Sequence, residues 1–156
     1  MVSPPAAPEL VVSRWFNTSK PLTLAGLHGR PVLIHAFQML CPACVSHGTP
    51  QAEKAHRMFG QTDLQVIGLH TVFEHHAAMT IPALEAFVHE YGLTMPIGVD
   101  VAGSDGPVPV TMARYAMRGT PTTILVGRDG VIRHQGFGQE DDMVLGARIA
   151  QALADV

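Results

Sequence analysis

Cysteine, charge and long apolar runs are all scarce in this sequence of 156 residues. Charged residues make up 15% of the chain, the formal net charge is -3, and the Lys and Arg residues are scattered. Because nucleic-acid-binding proteins carry a basic patch, we do not expect nucleic acid as a partner. No apolar run approaches the roughly 18 residues of a membrane span, and the first strongly apolar run, Val32 to Leu40, is interrupted by His35 and Gln38. We therefore do not expect a membrane as a partner either.

The amino terminus lacks the cationic start and the apolar core of a secretory signal peptide. If Met1 is the natural start, a cytoplasmic protein is expected, whereas a natural signal segment ahead of it would predict the periplasm. Prolines at positions 4, 5 and 8 favour a flexible tail over residues 1–9. Residues 10–156 have the length of one domain, and hydrophobic residues, 47% of the chain, are enough to build its core.

Short apolar runs alternate with helical patterns along this domain. The predicted strands are Val11–Phe16, Val32–Phe37, Leu64–His70, Met95–Val99, Thr122–Val126 and Val131–Phe137, the last two joined at Asp129-Gly130 as a hairpin. The predicted helices are Ala43–Phe59 (interrupted at Gly48 and Pro50), the segment that Thr80 begins and Gly92 ends, Val110–Arg118 and Gln139–Ala154. This order of elements predicts an α/β domain of three layers around a mixed sheet.

The only two cysteines form the motif Cys41-Pro42-Ala43-Cys44, between a predicted buried strand and a predicted helix. Two cysteines are too few for a disulfide scaffold, so their chemistry is the better explanation. The amino terminus of a helix offers unpaired N–H groups and the positive end of the dipole, which favour a thiolate. We expect Cys41 to be the exposed nucleophile and Cys44 the more buried resolving thiol of a thiol–disulfide exchange reaction.

A cysteine pair with this spacing could serve three other roles. A metal carrier would use Cys41, Cys44 and His47, completed by one of the histidines His70, His75 and His76. An inert structural disulfide would constrain little chain, because its loop spans only four residues. Haem attachment is excluded because Val45 stands where a histidine is required. His47 itself is expected to face solvent, and the Phe73–His76 segment is expected to be a polar surface loop.

At two distant places the sequence resembles the thioredoxin-like superfamily, in particular the TlpA-like disulfide reductases that border on the redoxins. The first place is the Cys41-Pro42-Ala43-Cys44 motif, and the second is Gly119-Thr120-Pro121-Thr122. Further likeness, over roughly residues 10 to 155, lies in Leu24–Ile34, Pro50, Tyr91–Pro96, Ile124–Val126 and Asp129-Gly130.

The resemblance implies a thioredoxin-like α/β/α sandwich over residues 10–156 with Pro121 in a cis peptide bond opposite the cysteines. Thr120 would then offer its backbone N–H and C=O groups to a docking substrate chain. The implied partners are protein or small-molecule thiols and disulfides, and no organic cofactor or metal is implied. We expect a monomer or a weak dimer.

The sequence departs from the family pattern at three positions. Met39-Leu40 precede Cys41 where the family usually has tryptophan. Pro50 falls six residues after Cys44 instead of five, and a bulge near Gly48 would absorb the extra residue. His35 stands where many thioredoxins carry a buried acid. We predict that His35 is buried, and that it either takes the proton of Cys44 during resolution or is an ordinary core histidine.

An antioxidant peroxidase of the peroxiredoxin type is the alternative enzyme class. Such an enzyme needs a threonine three residues before the attacking cysteine and an arginine nearby to polarise the peroxide. Gln38 occupies that threonine position. The sequence therefore favours thiol–disulfide exchange over peroxide reduction.

Overall fold

The computed structural model describes residues 2–156, in which six strands form one mixed sheet. The strands are β1 (Val12–Phe16), β2 (Val32–Phe37), β3 (Gln65–His70), β4 (Ile97–Asp100), β5 (Thr122–Val126) and β6 (Ile132–Phe137). They lie in the order β1-β4-β3-β2-β5-β6. The central strands β2, β3 and β4 are parallel, whereas β1 is antiparallel to β4, β5 to β2 and β6 to β5. The predicted α/β fold with a mixed central sheet is confirmed.

Four α-helices accompany the sheet: α1 (Thr49–Met58), α2 (Ile81–Glu90), α3 (Val110–Arg114) and α4 (Asp142–Ala154). A π-helical turn, Cys44–Gly48, leads directly into α1. The predicted start of α2 is confirmed, since the Thr80 hydroxyl accepts a hydrogen bond from the Ala83 N–H. Among residues 2–156, no helix has the length and apolar character needed to cross a membrane.

The helix α3 is shorter than the sequence predicts. It ends at Arg114 rather than Arg118. Ala116 adopts a left-handed backbone conformation with φ 49°, which a continuing α-helix cannot contain. The chain then runs through Gly119 into β5.

Strand β2 is buried along its whole length because both faces of the sheet are covered. Its side chains alternate, so Leu33 and Phe37 pack with residues of α1, α2 and α4, whereas Val32 and Ile34 belong to a second core cluster. Tyr115, which follows α3, is part of that second cluster. Helical segments thus lie on both faces of the sheet, as the predicted three-layer arrangement requires.

Residues 5–8, within the predicted tail, run along the hairpin that joins β5 and β6. The Ala7 N–H donates to the Gly130 carbonyl over 2.9 Å, and the Ile132 N–H donates to the Pro5 carbonyl over 3.0 Å. The Tyr115 hydroxyl donates to the Pro8 carbonyl over 2.6 Å. These bonds attach the segment to both the hairpin and the end of α3.

Candidate active site

The Sγ atoms of Cys41 and Cys44 form a disulfide where the chain passes from β2 into the helical segment that contains α1. The two Cα atoms lie 5.1 Å apart, a separation that a disulfide requires. Cys41 keeps 9% of its surface exposed, whereas Cys44 keeps 0%. Cys41 is therefore the less deeply buried of the two cysteines.

The start of the helical segment supplies a hydrogen-bond donor to the more exposed sulfur. The backbone N–H of Cys44 donates to Sγ of Cys41 over 3.2 Å. When the disulfide is reduced, the same N–H stabilises a thiolate at Cys41 more than a thiol, because a hydrogen bond to a charged acceptor is stronger. The local geometry therefore favours the reactive form of Cys41.

A prolyl loop faces the disulfide from the amino end of β5. The Thr120-Pro121 peptide bond is cis, and the Thr120 carbonyl oxygen lies 3.5 Å from Sγ of Cys41. The Gly138 N–H donates to the Pro121 carbonyl over 2.8 Å, which ties the loop to the end of β6. Cys41 and the second sequence motif, 79 residues away in the chain, thus meet at one site.

The expected bulge near Gly48 is present as the π-helical turn Cys44–Gly48. Pro50 then lies in the first turn of α1. The Thr49 N–H donates to the Cys44 carbonyl, and Pro50, which has no N–H, cannot continue this pattern of bonds. The turn lies close to the sheet: a Cβ atom on Gly48 would be 2.7 Å from Cε1 of His35 and 3.2 Å from Cβ of Pro121. Only glycine fits at this approach.

His35 belongs to β2, and its ring lies against the π-helical turn at Gly48. Its side chain is buried, and its Nε2 lies 2.9 Å from the Thr49 hydroxyl oxygen. Its ring is stacked on that of Phe37. Burial lowers the pKa of His35 to about 3, because a charged imidazolium loses its hydration. His35 is therefore neutral near pH 7.

Gln38 and His70 are two buried side chains beside the cysteine motif whose contacts the sequence did not reveal. The Met39 N–H donates to Nε2 of His70, and the Phe73 N–H donates to Oε1 of Gln38. Burial lowers the pKa of His70 to about 4, so its Nε2 can remain an acceptor. The only available signal was position, since Gln38 follows β2 and His70 ends β3.

These contacts bear on the peroxidase alternative. Gln38 stands where a peroxidase needs a threonine hydroxyl, and its carboxamide oxygen is engaged by the Phe73 N–H over 3.1 Å. The side chain is 1% exposed. This position therefore offers no hydroxyl group beside Cys41.

Over the described residues, the cysteines and the histidines named for a metal carrier do not form a metal site. The prediction that His47 faces solvent is wrong: the side chain is half-buried, and its Nε2 lies 2.7 Å from the Glu140 carbonyl oxygen. His76 is exposed and its Nε2 lies 3.1 Å from the Pro107 carbonyl oxygen. Within residues 2–156, no group of three or more His, Cys, Asp or Glu side chains is placed to hold a metal ion.

Exposed apolar side chains flank the disulfide and the prolyl loop. Leu40, which precedes Cys41, is 58% exposed, and Phe137 at the end of β6 is 53% exposed. The Phe137 ring covers Gly119, where a Cβ atom would meet it at 2.9 Å, and the Arg118 guanidinium lies 5.6 Å from the ring centre. One exposed apolar side chain thus directly precedes Cys41 in the chain, and another covers the glycine that precedes the prolyl loop.

A thioredoxin-like sheet that presents a Cys-x-x-Cys disulfide at the start of a helix, opposite a prolyl loop, defines a thiol–disulfide oxidoreductase. The chain belongs to the redoxin family, which matches residues 5–152. The predicted class and the resemblance to this branch are confirmed.

Comparison with known proteins gives the same class. The chain is 50% identical to thioredoxin-like superfamily protein SPOA0173, with a TM-score of 0.93 and 97% of each chain covered. It is 46% identical to a thiol-disulfide isomerase from Corynebacterium glutamicum, with a TM-score of 0.90 and 96% of this chain and 98% of that chain covered. Protein DipZ of Mycobacterium bovis is 29% identical over 96% of this chain, which spans only 21% of DipZ.

Proposed function

We propose that this protein reduces disulfides of proteins or small molecules, with Cys41 as the attacking and Cys44 as the resolving cysteine. The observation that carries the proposal is the Cys41–Cys44 disulfide at the start of the helical segment, with Cys41 the more exposed partner. The name of the relative from Corynebacterium glutamicum, a thiol-disulfide isomerase, agrees with exchange chemistry.

The proposed reaction has two exchange steps. The Cys41 thiolate attacks one sulfur of the substrate disulfide, and the other sulfur leaves as a thiolate that takes up a proton. Cys44 then loses its proton and attacks Sγ of Cys41, which closes the Cys41–Cys44 disulfide and releases the second substrate sulfur. The substrate gains two electrons, which the cysteine pair loses. Of the two protons that the substrate thiols take up, one balances the proton lost by Cys44 and the other balances the proton that Cys41 released to solvent when it ionised. A dithiol donor reverses the sequence and restores the reduced protein.

We further propose that the prolyl loop receives the substrate chain. The Thr120 carbonyl oxygen lies 3.5 Å from Sγ of Cys41 and is free of any strand partner in the register of β5, which begins at Thr122. An extended substrate segment can pair with this backbone, while Leu40 and Phe137 contact its apolar side chains. Pro121 keeps a backbone N–H donor away from the sulfurs, because proline has none.

We propose His35 as the acceptor of the Cys44 proton in the second step. Its ring lies against the π-helical turn that Cys44 begins, and it is neutral near pH 7. A pKa of about 3 makes His35 a weak base while the disulfide is closed. The negative charge that develops on Cys44 favours the protonated ring and raises its affinity for the proton. In this role, the positive charge on His35 and the negative charge on Cys44 must therefore form in the same step.

A titration in glutathione buffers of known composition tests the cysteine chemistry. After the free thiols are alkylated, mass spectrometry should find Cys41 and Cys44 opening and closing together as a single two-electron couple. The Cys44→Ser variant is the control, which should carry only a mixed disulfide with glutathione on Cys41. Failure of the natural pair to close reversibly would overturn the proposal.

The same titration tests the direction of electron flow. Reduction potentials of such pairs span roughly -270 mV, as in thioredoxin, to -120 mV, as in a strong oxidant. A value near the thioredoxin end supports a reductase. A value near the other end would contradict reduction as the physiological direction.

We also propose that the protein is cytoplasmic, or periplasmic if a signal segment precedes it. We propose further that it is a monomer or a weak dimer. Fractionation of cells that produce the natural gene product tests the first part. Light scattering across a range of protein concentrations tests the second, and a concentration-independent oligomer would contradict it.

A further inference from the structure

Two side chains extend the pairing of β2 and β3 beyond the point where the backbone ladder stops. Phe37 and His70 are the last register partners of these parallel strands, and the Thr71 N–H still donates to the Phe37 carbonyl over 3.0 Å. Past this point the two backbones separate. Side chains then replace backbone groups as acceptors between the two segments.

The replacement is reciprocal. The Met39 N–H, after β2, donates to Nε2 of His70 over 3.3 Å, and the Phe73 N–H, after β3, donates to Oε1 of Gln38 over 3.1 Å. The side chains of Gln38 and His70 are 1% and 2% exposed. Water therefore cannot readily replace either acceptor, and loss of one would leave a polar group unpaired. We call these two hydrogen bonds the Gln38–His70 brace.

The brace holds the turn that delivers Cys41 to the helical segment. The Cys41 N–H donates to the Gln38 carbonyl over 3.2 Å, which closes a four-residue turn from Gln38 to Cys41. Gln38 and Met39, the first half of this turn, carry the brace. Leu40 in the second half is 58% exposed, so its own packing contributes little to the position of Cys41.

We propose that Gln38 and His70 are positioning residues for Cys41, which keep its sulfur against the Cys44 N–H and the Thr120 carbonyl. This inference rests on the proposed function, because it assigns a role in the reactivity of the same cysteine. His70 can serve only as the neutral ring with its proton on Nδ1, since Nε2 accepts. Its lowered pKa, about 4, keeps it in that form at neutral pH.

The consequence is a change in thiolate stabilisation when the brace is cut. In His70→Leu the turn loosens, the Cys44 N–H bonds the Cys41 thiolate less well, and alkylation of reduced Cys41 at neutral pH slows by roughly three- to tenfold. The reduction potential becomes more negative, because the reduced form loses stabilisation. Gln38→Leu should shift both quantities in the same direction.

A conservative variant of His70 distinguishes a role in positioning Cys41 from a general loss of stability. In His70→Gln the carboxamide oxygen can replace Nε2 as the acceptor for the Met39 N–H, so we expect the alkylation rate and the potential to return toward wild type. The matched control is Val126→Ala, a buried site at the far end of β5. It should lower the free energy of unfolding without changing either quantity.

The result that overturns the brace is a folded His70→Leu protein with the wild-type alkylation rate and potential. If that variant does not fold, Gln38→Leu decides instead, and wild-type values there overturn the proposal equally. The wild-type titration is read first: if its disulfide does not close reversibly, the proposed function fails. If it closes and the variants match it, only the brace fails.

Discussion

Burial decides what His35 and His70 can do. Both rings lie at the carboxyl half of a central strand, and burial lowers their pKa values to about 3 and about 4. Each ring is therefore neutral and keeps one lone pair. His70 uses it to accept the Met39 N–H. His35 lies 2.9 Å from the Thr49 hydroxyl, whose proton can turn toward or away from the ring.

Substitution of His35 tests its proposed role in resolution. His35→Gln can keep a hydrogen bond to Thr49 but cannot take up a proton, so we expect the mixed disulfide at Cys41 to resolve about a hundredfold more slowly. His35→Leu should slow it at least as much. Rapid-quench mass spectrometry of the mixed disulfide measures the rate.

His47→Gln is the control for this experiment, because His47 is a half-buried histidine bonded to the Glu140 carbonyl. It should resolve the mixed disulfide at the wild-type rate. A wild-type rate in His35→Gln, with only His35→Leu impaired, would show that His35 acts through its hydrogen bond and not as a base.

At the scale of elements, the π-helical turn reconciles the cysteine motif with α1. The extra residue between Cys44 and Pro50 is absorbed within Cys44–Gly48, so Pro50 still falls in the first turn of α1. The turn brings the backbone at Gly48 against His35 and Pro121. One small residue thus connects the cysteine helix, the central strand and the prolyl loop.

Addition of a single methyl group tests this close approach. In Gly48→Ala the new Cβ would lie 2.7 Å from Cε1 of His35. We expect the free energy of unfolding to fall by about 1–3 kcal/mol, because the well-packed ring and loop must shift. Urea denaturation monitored by circular dichroism measures the change.

The matched control is Gly146→Ala in α4, where a Cβ would meet nothing within 4 Å. This change should stabilise the protein by about 0.5–1 kcal/mol, since alanine favours the helix over glycine. Equal effects of the two substitutions would contradict the role assigned to Gly48.

Glu53 attaches the same helix to the chain ahead of β4. Its carboxylate accepts from the backbone N–H groups of Thr94 and Met95 over 2.6 and 2.9 Å, and from Arg57 over 2.9 Å. Although burial alone would raise it, the pKa of Glu53 is lowered by these bonds together with that from the Thr94 hydroxyl. The middle of α1 is thus fixed by a charged acceptor, while Thr49 at its start contacts His35.

At the scale of the whole molecule, covering both faces of the sheet makes the fold sensitive to acid. The unfolded chain exposes His35 and His70, whose pKa values then return to about 6.5. Between that value and their folded values of about 3 and 4, the unfolded state binds more protons than the folded state. The stability that these histidines contribute is therefore present above about pH 6.5 and is lost as the pH falls.

The double variant His35→Gln/His70→Gln isolates this effect. In the wild type, the free energy of unfolding should decline below about pH 6.5 with a slope that approaches about 1.4 kcal/mol per pH unit for each histidine. In the double variant, the slope should be smaller because the contributions of both histidines are absent. Urea titrations over a series of pH values measure both.

His89→Gln provides the control, because His89 is exposed in the last turn of α2. The free energy of unfolding of the His89→Gln variant should depend on pH as that of the wild type does. An unchanged slope in the double variant would mean that the two buried histidines keep ordinary pKa values in the folded protein.

The sequence predicted most of the elements because each strand and helix carries its own period of apolar residues. β2 and β5 were predicted with their observed bounds, and the end of α2 was signalled by Gly92. α3 was predicted too long, because nothing in Tyr115 or Ala116 announces a left-handed backbone. The sequence does not predict the contact of His47, because the Glu140 carbonyl that lies beside it is 93 residues further along the chain.

What the sequence determined by itself is local: the cysteine pair, the spacing that requires an extra residue before Pro50, and the short apolar run that forms β2. These follow from bonds and contacts between residues close in the chain. The tertiary structure decided which distant groups meet. It places Thr120 beside Cys41, which only the family resemblance implied, and it joins His70 and Gln38 across the ends of β2 and β3. Such contacts depend on strand order and register, which are set by packing of the whole core rather than by any one segment.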